Sequence, residues 1–452
     1  MQVNIKETTP IHPSTPPFSQ DHTLPLCHLD TDRNLNVIFR YLRVYVNTHP
    51  DGQDDSRHPF QVITAALCSA LVHYYPLAAT LRRRQLDGRL EVLCSKNQLT
   101  GVPVVNATAN GTLESVKYLD DPGSDFLDRL VPDPGPEGGL VNPCVLQVTV
   151  FECGGFTLGA AIHHALCDGM GATQFFNAVA ELARGAGRIS IEPVWDRAGL
   201  LGPRDPPRVE GGAVREYLGL EKGFEPYGQV VGEAVRECFH VKDEWVDRFK
   251  KMLVASSGGS SFTTFEALGA FIWRAKVKAS RVPGDEMVKF AYSINIRKLV
   301  KPPLPTGYWG NGCVPMYAQV SAKELMEQPI WKTAQLIKKS KGNATDEYVR
   351  SFIDFQELHY GDGITAGDKV SGFTDWRHLG HSSVDFGWGG PVTVLPLSRN
   401  LLGSVEPCFF LPYSSANVGE KDGFKVLVTL QHTALPAFKK EMEKFSSQEF
   451  EL

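Results

Sequence analysis

The chain has 452 residues, with 46 Lys and Arg against 51 Asp and Glu for a formal charge of −5 at pH 7. Such a length exceeds one hydrophobic core and implies two large domains, while the lack of a basic excess argues against a nucleic-acid partner. No apolar run reaches the roughly 20 residues of a membrane span, and Met1 to Thr9 lacks the basic-then-apolar order of a signal peptide, so a cytoplasmic protein away from membranes is expected.

In chain order, a short alternating strand at Val3 to Thr8 leads into a Pro-rich extended stretch, Thr9 to Phe18. Leu35 to Val46, rich in β-branched and aromatic residues, is the first strong strand. Pro59 opens a helix through about His73, with Val62, Ala66 and Ala70 on one face, and Pro76 stops it. Leu81 to Leu86 and Arg89 to Cys94 make a hairpin across Asp87-Gly88. From Leu99 to Asn142 the sequence is turn-rich and yields no clear element. Cys144 to Glu152 and Phe156 to His163 then form a hairpin about Gly154-Gly155, followed by a helix from Ala172 to Arg184.

The Gly- and Pro-rich segment after Gly185 reads as a crossover, dividing the chain into 1–185, a linker at 186–236 and 237–452. The second half starts with a strand near Cys238 to Val241 and a helix at Glu244 to Leu253 with Asp243 as its cap. Thr263-Thr264-Phe265-Glu266 is a capping-box pattern opening a long helix to about Ala279. Met287 to Ile296 is a strand whose polar face ends at Arg297. After a Pro-, Gly- and aromatic-rich loop, helices are expected at about Ile330 to Lys341 and Asp346 to Leu358. Strands follow at Lys369 to Phe373, Val392 to Leu397, Cys408 to Pro412 and Phe424 to Gln431, and a helix carrying Phe438, Met442 and Phe445 closes the chain.

The chemistry centres on Ile162-His163-His164-Ala165-Leu166-Cys167-Asp168-Gly169. Strand alternation puts His164 on the inner face with Phe156, Leu158, Ala160 and Ile162, and His163 on the other. A histidine there, with a carboxylate four residues on in a Gly-rich turn, has the makings of a base and its orienter. Taken alone, the pattern fits a hydrogen-bonded core histidine equally well. His163, His164 and Asp168 make a poor metal site, because adjacent strand histidines face opposite ways. The nine cysteines are odd in number and contain no C-x-x-C pair, so they read as reduced packing residues. No G-x-S-x-G is present, and Cys167 is better explained by packing than as a nucleophile.

Asp385-Phe386-Gly387-Trp388-Gly389, downstream of H-x-x-x-D-G, resembles the signature pair of the BAHD family of plant acyl-CoA-dependent acyltransferases. Tyr74 to Ala78, Ser293 to Arg297 and Pro302 to Asn311 extend the resemblance over nearly the whole chain. The resemblance implies an α/β fold of two chloramphenicol-acetyltransferase-like domains, mixed β-sheets covered by helices, with a channel between them. It implies His164 as general base and Asp168 as a structural carboxylate paired with Arg297. It also implies Thr374 and Trp376 of a T-x-W segment beside the reacting carbonyl, and Asp385 to Gly389 as a structural motif. The middle residue of T-x-W is Asp375, where relatives often carry serine. Acyl-CoA is then a co-substrate, no cofactor or metal is held permanently, and the acceptor is a small-molecule alcohol or amine met by a monomer. The free N–H groups of the helix at Thr263 and Thr264 are the candidate phosphate contact.

The expected activity is O-acylation of a plant specialised metabolite by direct transfer. N-acylation is the nearest alternative. A condensation-type enzyme, suggested by the H-H-x-x-x-D-G spelling at 163–169, and a non-catalytic binding protein on the same scaffold are the others.

Overall fold

The computed structural model describes residues 1–47, 58–96, 98–120, 125–227, 233–416 and 422–447. Two six-stranded mixed sheets carry the architecture. In the first, the spatial order is Val3–Ile11, Val102–Ala109, Cys144–Phe151, Phe156–His163, Ile38–Tyr45 and Thr393–Pro396. All its pairings are antiparallel except that of Val102–Ala109 with Cys144–Phe151. In the second, the order is Ala234–Val241, Phe424–Gln431, Cys408–Leu411, Val370–Asp375, Met287–Asn295 and Cys313–Ser321. Here Val370–Asp375 runs parallel to both of its neighbours.

Parallel pairing goes with sheets covered on both faces. Helices Pro59–Ala70 and Gly169–Ala183 pack together over the first sheet, and Thr264–Ala279, Ile330–Gly342 and Leu435–Ser447 contribute to the core of the second. Each sheet organises its own apolar cluster, the first including Phe156, Leu158 and Phe175, the second Trp273, Phe290 and Phe438.

Four expectations are corrected. The turn-rich interval 99–142 contains an internal strand, Val102–Ala109, whose residues are buried on both faces, which erases the alternation that marks a half-exposed strand. Cys313–Ser321 is a further strand that the aromatic loop before it obscured. Asp243 does not cap its helix: it is the first helical residue, Lys242 takes the cap position without a side-chain hydrogen bond, and the acidic first turn contributes through the helix dipole. The strand expected near 392–397 does form, but Thr393–Pro396 crosses over to complete the first sheet beside Ile38–Tyr45.

The segment between the sheets is built of short helices, Arg197–Leu201 and Ala213–Tyr217, and Arg197 within it is fully buried. That buried arginine ties the crossover to the reactive turn.

Candidate active site

The hairpin of Cys144–Phe151 and Phe156–His163 delivers His164 to the end of a central strand. The strand is buried along both faces. Gly159 is needed on its second face, since a Cβ there would lie 2.2 Å from the Leu130 carbonyl oxygen. The expected inner face and its opposite are both covered, and only at the strand's end do the histidines differ. His163 is 2 % exposed, and its Nδ1 accepts from the Ala165 N–H at 3.2 Å. Burial, reinforced by His164, drives its pKa down to about 3, so it is a neutral core histidine. His164 is half-buried and lines a cavity of about 310 Å³.

The His164 ring has a defined tautomer. Asn311 lies 147 residues away in sequence, with its Oδ1 3.1 Å from His164 Nδ1. Its Nδ2 donates to Asp30 Oδ1 and to the His164 carbonyl oxygen, both at 2.9 Å. Those two partners can only accept, so the amide orientation is set and Oδ1 must face the ring. His164 Nδ1 therefore carries the proton and Nε2 carries the lone pair. Burial lowers the His164 pKa below the usual histidine value, with Asp168, Asn311 and Asp30 opposing in part, which favours the neutral ring.

Asp30 is itself fully buried and anchored. Its Oδ1 also accepts from the Asn311 backbone N–H at 2.8 Å, and its Oδ2 accepts from Arg197 Nη1 at 3.2 Å. Arg197 Nη2 donates to the Leu166 carbonyl oxygen at 2.8 Å, inside the reactive turn. Neither Asn311, Asp30 nor Arg197 was singled out for a role from sequence. Asn311 lay within a quoted motif, yet nothing local signalled its contact with His164.

Asp168 caps helix Gly169–Ala183 by accepting from the Gly171 N–H at 2.8 Å. Arg297 binds it in two-pronged fashion, Nη1 to Oδ2 at 2.8 Å and Nη2 to Oδ1 at 2.9 Å, and the Gly312 N–H adds a bond at 3.0 Å. Four donors thus occupy the carboxylate, and none of them is the imidazole. Burial works to raise the Asp168 pKa, but Arg297 and the backbone N–H groups outweigh it and hold the carboxyl below its ordinary range. A Cβ on Gly312 would lie 2.5 Å from Arg297 Nη1, so the close approach requires glycine.

Thr374 and Trp376 line the same cavity as His164, at the end of strand Val370–Asp375. Among the described residues no protein group takes the Thr374 hydroxyl. Trp376 sits in an aromatic wall, its ring 5.8 Å from Phe39 and 5.0 Å from His381. Asp375 is held by Arg377, through Nε at 2.9 Å and Nη2 at 2.6 Å. Cys167 is buried, and burial together with Asp168 pushes its thiol pKa well up, away from nucleophile chemistry.

Thr263 and Thr264 are not among the cavity-lining residues, although their neighbour Phe265 is. The capping box is present: Thr263 Oγ1 accepts from the Glu266 N–H at 3.2 Å and Glu266 Oε2 accepts from the Thr263 N–H at 2.8 Å. The Glu266 carboxylate, paired with Lys341 at 2.9 Å, thereby already holds one of the N–H groups considered for phosphate. Asp385 to Gly389 packs elsewhere. Asp385 Oδ1 accepts from the N–H groups of Gly387 and Gly389 at 2.7 and 2.8 Å, while Phe386 and Trp388 contact the Tyr45 and Phe156 rings of the first core.

A neutral imidazole with its Nδ1 hydrogen-bonded, a salt-bridged turn behind it and a hydroxyl across a two-sheet cavity make an arrangement able to support acyl transfer. A sequence profile described as "Transferase family" matches residues 1–445. "Spermidine sinapoyl-CoA acyltransferase" of Arabidopsis thaliana is 35% identical over 435 residues, covering 93% of each chain. "Taxadien-5-alpha-ol O-acetyltransferase" of Taxus chinensis is 32% identical over 446 residues, covering 98% of this chain and 97% of that one. The structure of F. graminearum TRI101 with coenzyme A and deoxynivalenol superposes with a TM-score of 0.76 at 14% identity, covering 94% of this chain and 98% of that one, which shows the shared fold. The chain belongs to the BAHD branch of this family and is an acyl-CoA-dependent acyltransferase.

Proposed function

We propose that the chain moves an acyl group from a CoA thioester to the hydroxyl of a small specialised metabolite, directly, with His164 as general base. The observation carrying this reading is the Asn311 contact that places the proton on Nδ1 and leaves Nε2 as the acceptor. The acceptor oxygen attacks the thioester carbonyl while its proton passes to Nε2. The carbonyl becomes an oxyanion, for which the Thr374 hydroxyl and Trp376 are the donors at hand in the cavity. Collapse expels the CoA thiolate, which takes the proton back from the imidazolium, so the enzyme returns to its starting state. Asp168 and Arg297 hold the turn and do not relay a proton. Acyl-CoA is a co-substrate in this scheme, and no permanent cofactor takes part. The protein acts as a cytoplasmic monomer, and among the described residues no helix is long and apolar enough to cross a membrane.

The test combines turnover and mass. Incubation with acyl-CoA panels and alcohols should give ester, and His164→Ala should lower the rate by about 10² to 10⁴. Intact mass after acyl-CoA alone should be unchanged. An acyl adduct that the alcohol then discharges would replace direct transfer with a covalent route.

A further inference from the structure

Arg43 stands in the second half of strand Ile38–Tyr45, opposite Leu158 and Val394, and its side chain is wholly buried. The two arginines that contact the reactive turn each have a carboxylate: Arg297 has Asp168 and Arg197 has Asp30. Arg43 forms no ion pair among the described residues. Its Nε and Nη1 have no hydrogen-bond partner, and its guanidinium lies over the faces of Tyr41 and Phe176, at 5.0 and 4.4 Å. Ring faces compensate a buried cation far less than an anion does.

The surroundings of Arg43 share this shortage of acceptors. Arg43 Nη2 lies 3.4 Å from His381 Nδ1, and the Thr173 hydroxyl lies 3.3 Å from the same nitrogen. A guanidinium only donates, so His381 Nδ1 accepts and the ring proton sits on Nε2. Burial, and then Arg43, take the His381 pKa down to about 3, so His381 adds no counter-charge. His381 Nε2 is also buried without a partner, while the Tyr41 hydroxyl makes no close bond and interacts with the Arg43 guanidinium. Three unpartnered N–H groups, Arg43 Nε and Nη1 and His381 Nε2, therefore stand together beside that hydroxyl.

They also stand at the reaction cavity. Tyr41 and His381 line it together with His164, Thr374 and Trp376, and Arg43 is directly behind them. The His381 ring, 8% exposed and packed against Trp376 at 5.0 Å, stands between the cavity and Arg43.

We propose that this wall is a carboxylate subsite: one substrate carries a carboxylate, which binds Arg43 once the His381 ring moves, with His381 and Tyr41 as additional donors. The carboxylate belongs either to the far end of the acyl group or to the acceptor. This assignment rests on the acyltransferase reading above and narrows its substrate class.

Two matched pairs test it by calorimetric titration of the full-length enzyme. Malonyl-CoA against butyryl-CoA asks whether the acyl group supplies the charge. 4-Hydroxyphenylacetate against its methyl ester, with CoA present, asks whether the acceptor does. In one pair the carboxylate member should bind on the order of tenfold more tightly or better, the value of a hydrogen bond to a charged group. Arg43→Met, which keeps the bulk and removes the charge, should bring that ratio close to one, and Arg43→Lys should keep part of it. Equal binding within both pairs of the wild-type enzyme, which needs no variant, overturns the subsite, as does a preference that survives Arg43→Met. If neither acyl-CoA binds at all, it is the acyltransferase reading that falls.

Discussion

Replacing Asp168 by alanine tests how the reactive turn is held. The carboxylate takes two bonds from Arg297 and one each from the N–H groups of Gly171 and Gly312, in a site where the Asp168 side chain is 8% exposed and that of Arg297 16%. Its removal leaves the guanidinium charged, largely desolvated and unpaired, a perturbation worth about 3–5 kcal/mol. Arg297→Ala should cost a similar amount, by stranding Asp168. The double variant removes both charges and should cost about as much as either single one, so the coupling should be about the size of one single loss, about 3–5 kcal/mol. Chemical denaturation followed by tryptophan fluorescence, with kcat/KM measured in parallel, gives the three differences. The pH dependence provides a second check. Because the folded carboxyl lies below its unfolded value of roughly 3.9, its stabilisation is present above about pH 4 and is lost as pH falls through the folded pKa. Additive losses in the cycle, or an Asp168→Ala enzyme whose stability keeps its wild-type dependence on acid, would refute the pairing as the turn's anchor.

Asn311→Leu removes the acceptor that fixes the His164 tautomer, and kcat/KM should fall by roughly 10- to 100-fold, the consequence of about 1–3 kcal/mol. Because Asn311 also works to raise the His164 pKa, the acid limb of the same variant should move to lower pH, and an unmoved limb with normal turnover would contradict the contact. In the wild-type enzyme kcat/KM should rise with pH through the ionisation of His164. Burial lowers that value, so the limb should lie below roughly pH 6.5, and a midpoint above it would be inconsistent with the buried, neutral ring. Thr374→Val should depress kcat more than it raises KM, by about 2.7–4 kcal/mol if its hydroxyl stabilises the oxyanion. A change confined to KM would make Thr374 a positioning residue.

What the sequence determined by itself is what short stretches of chain settle. The hairpin ending at His163 follows from two β-prone runs around Gly154-Gly155, and the capping box at Thr263 from hydrogen bonds spanning three residues. The helix cap at Asp168 is equally local. Resemblance supplied the longer-range pairing of Asp168 with Arg297, 129 residues apart, which no periodicity could reveal. Tertiary structure alone decided the remainder. It carried Thr393–Pro396 into the first sheet, because the edge beside Ile38–Tyr45 offered backbone donors and acceptors that needed partners. It brought Asn311, Asp30 and Arg197 to His164 through contacts spanning 147, 281 and 167 residues, and these contacts set which ring nitrogen holds the proton. It also left Arg43 buried without an anion. In sequence Arg43 is one polar residue in an apolar strand, and only the packing of Phe176, Tyr41 and His381 around it shows that its charge has no counterpart within the described chain.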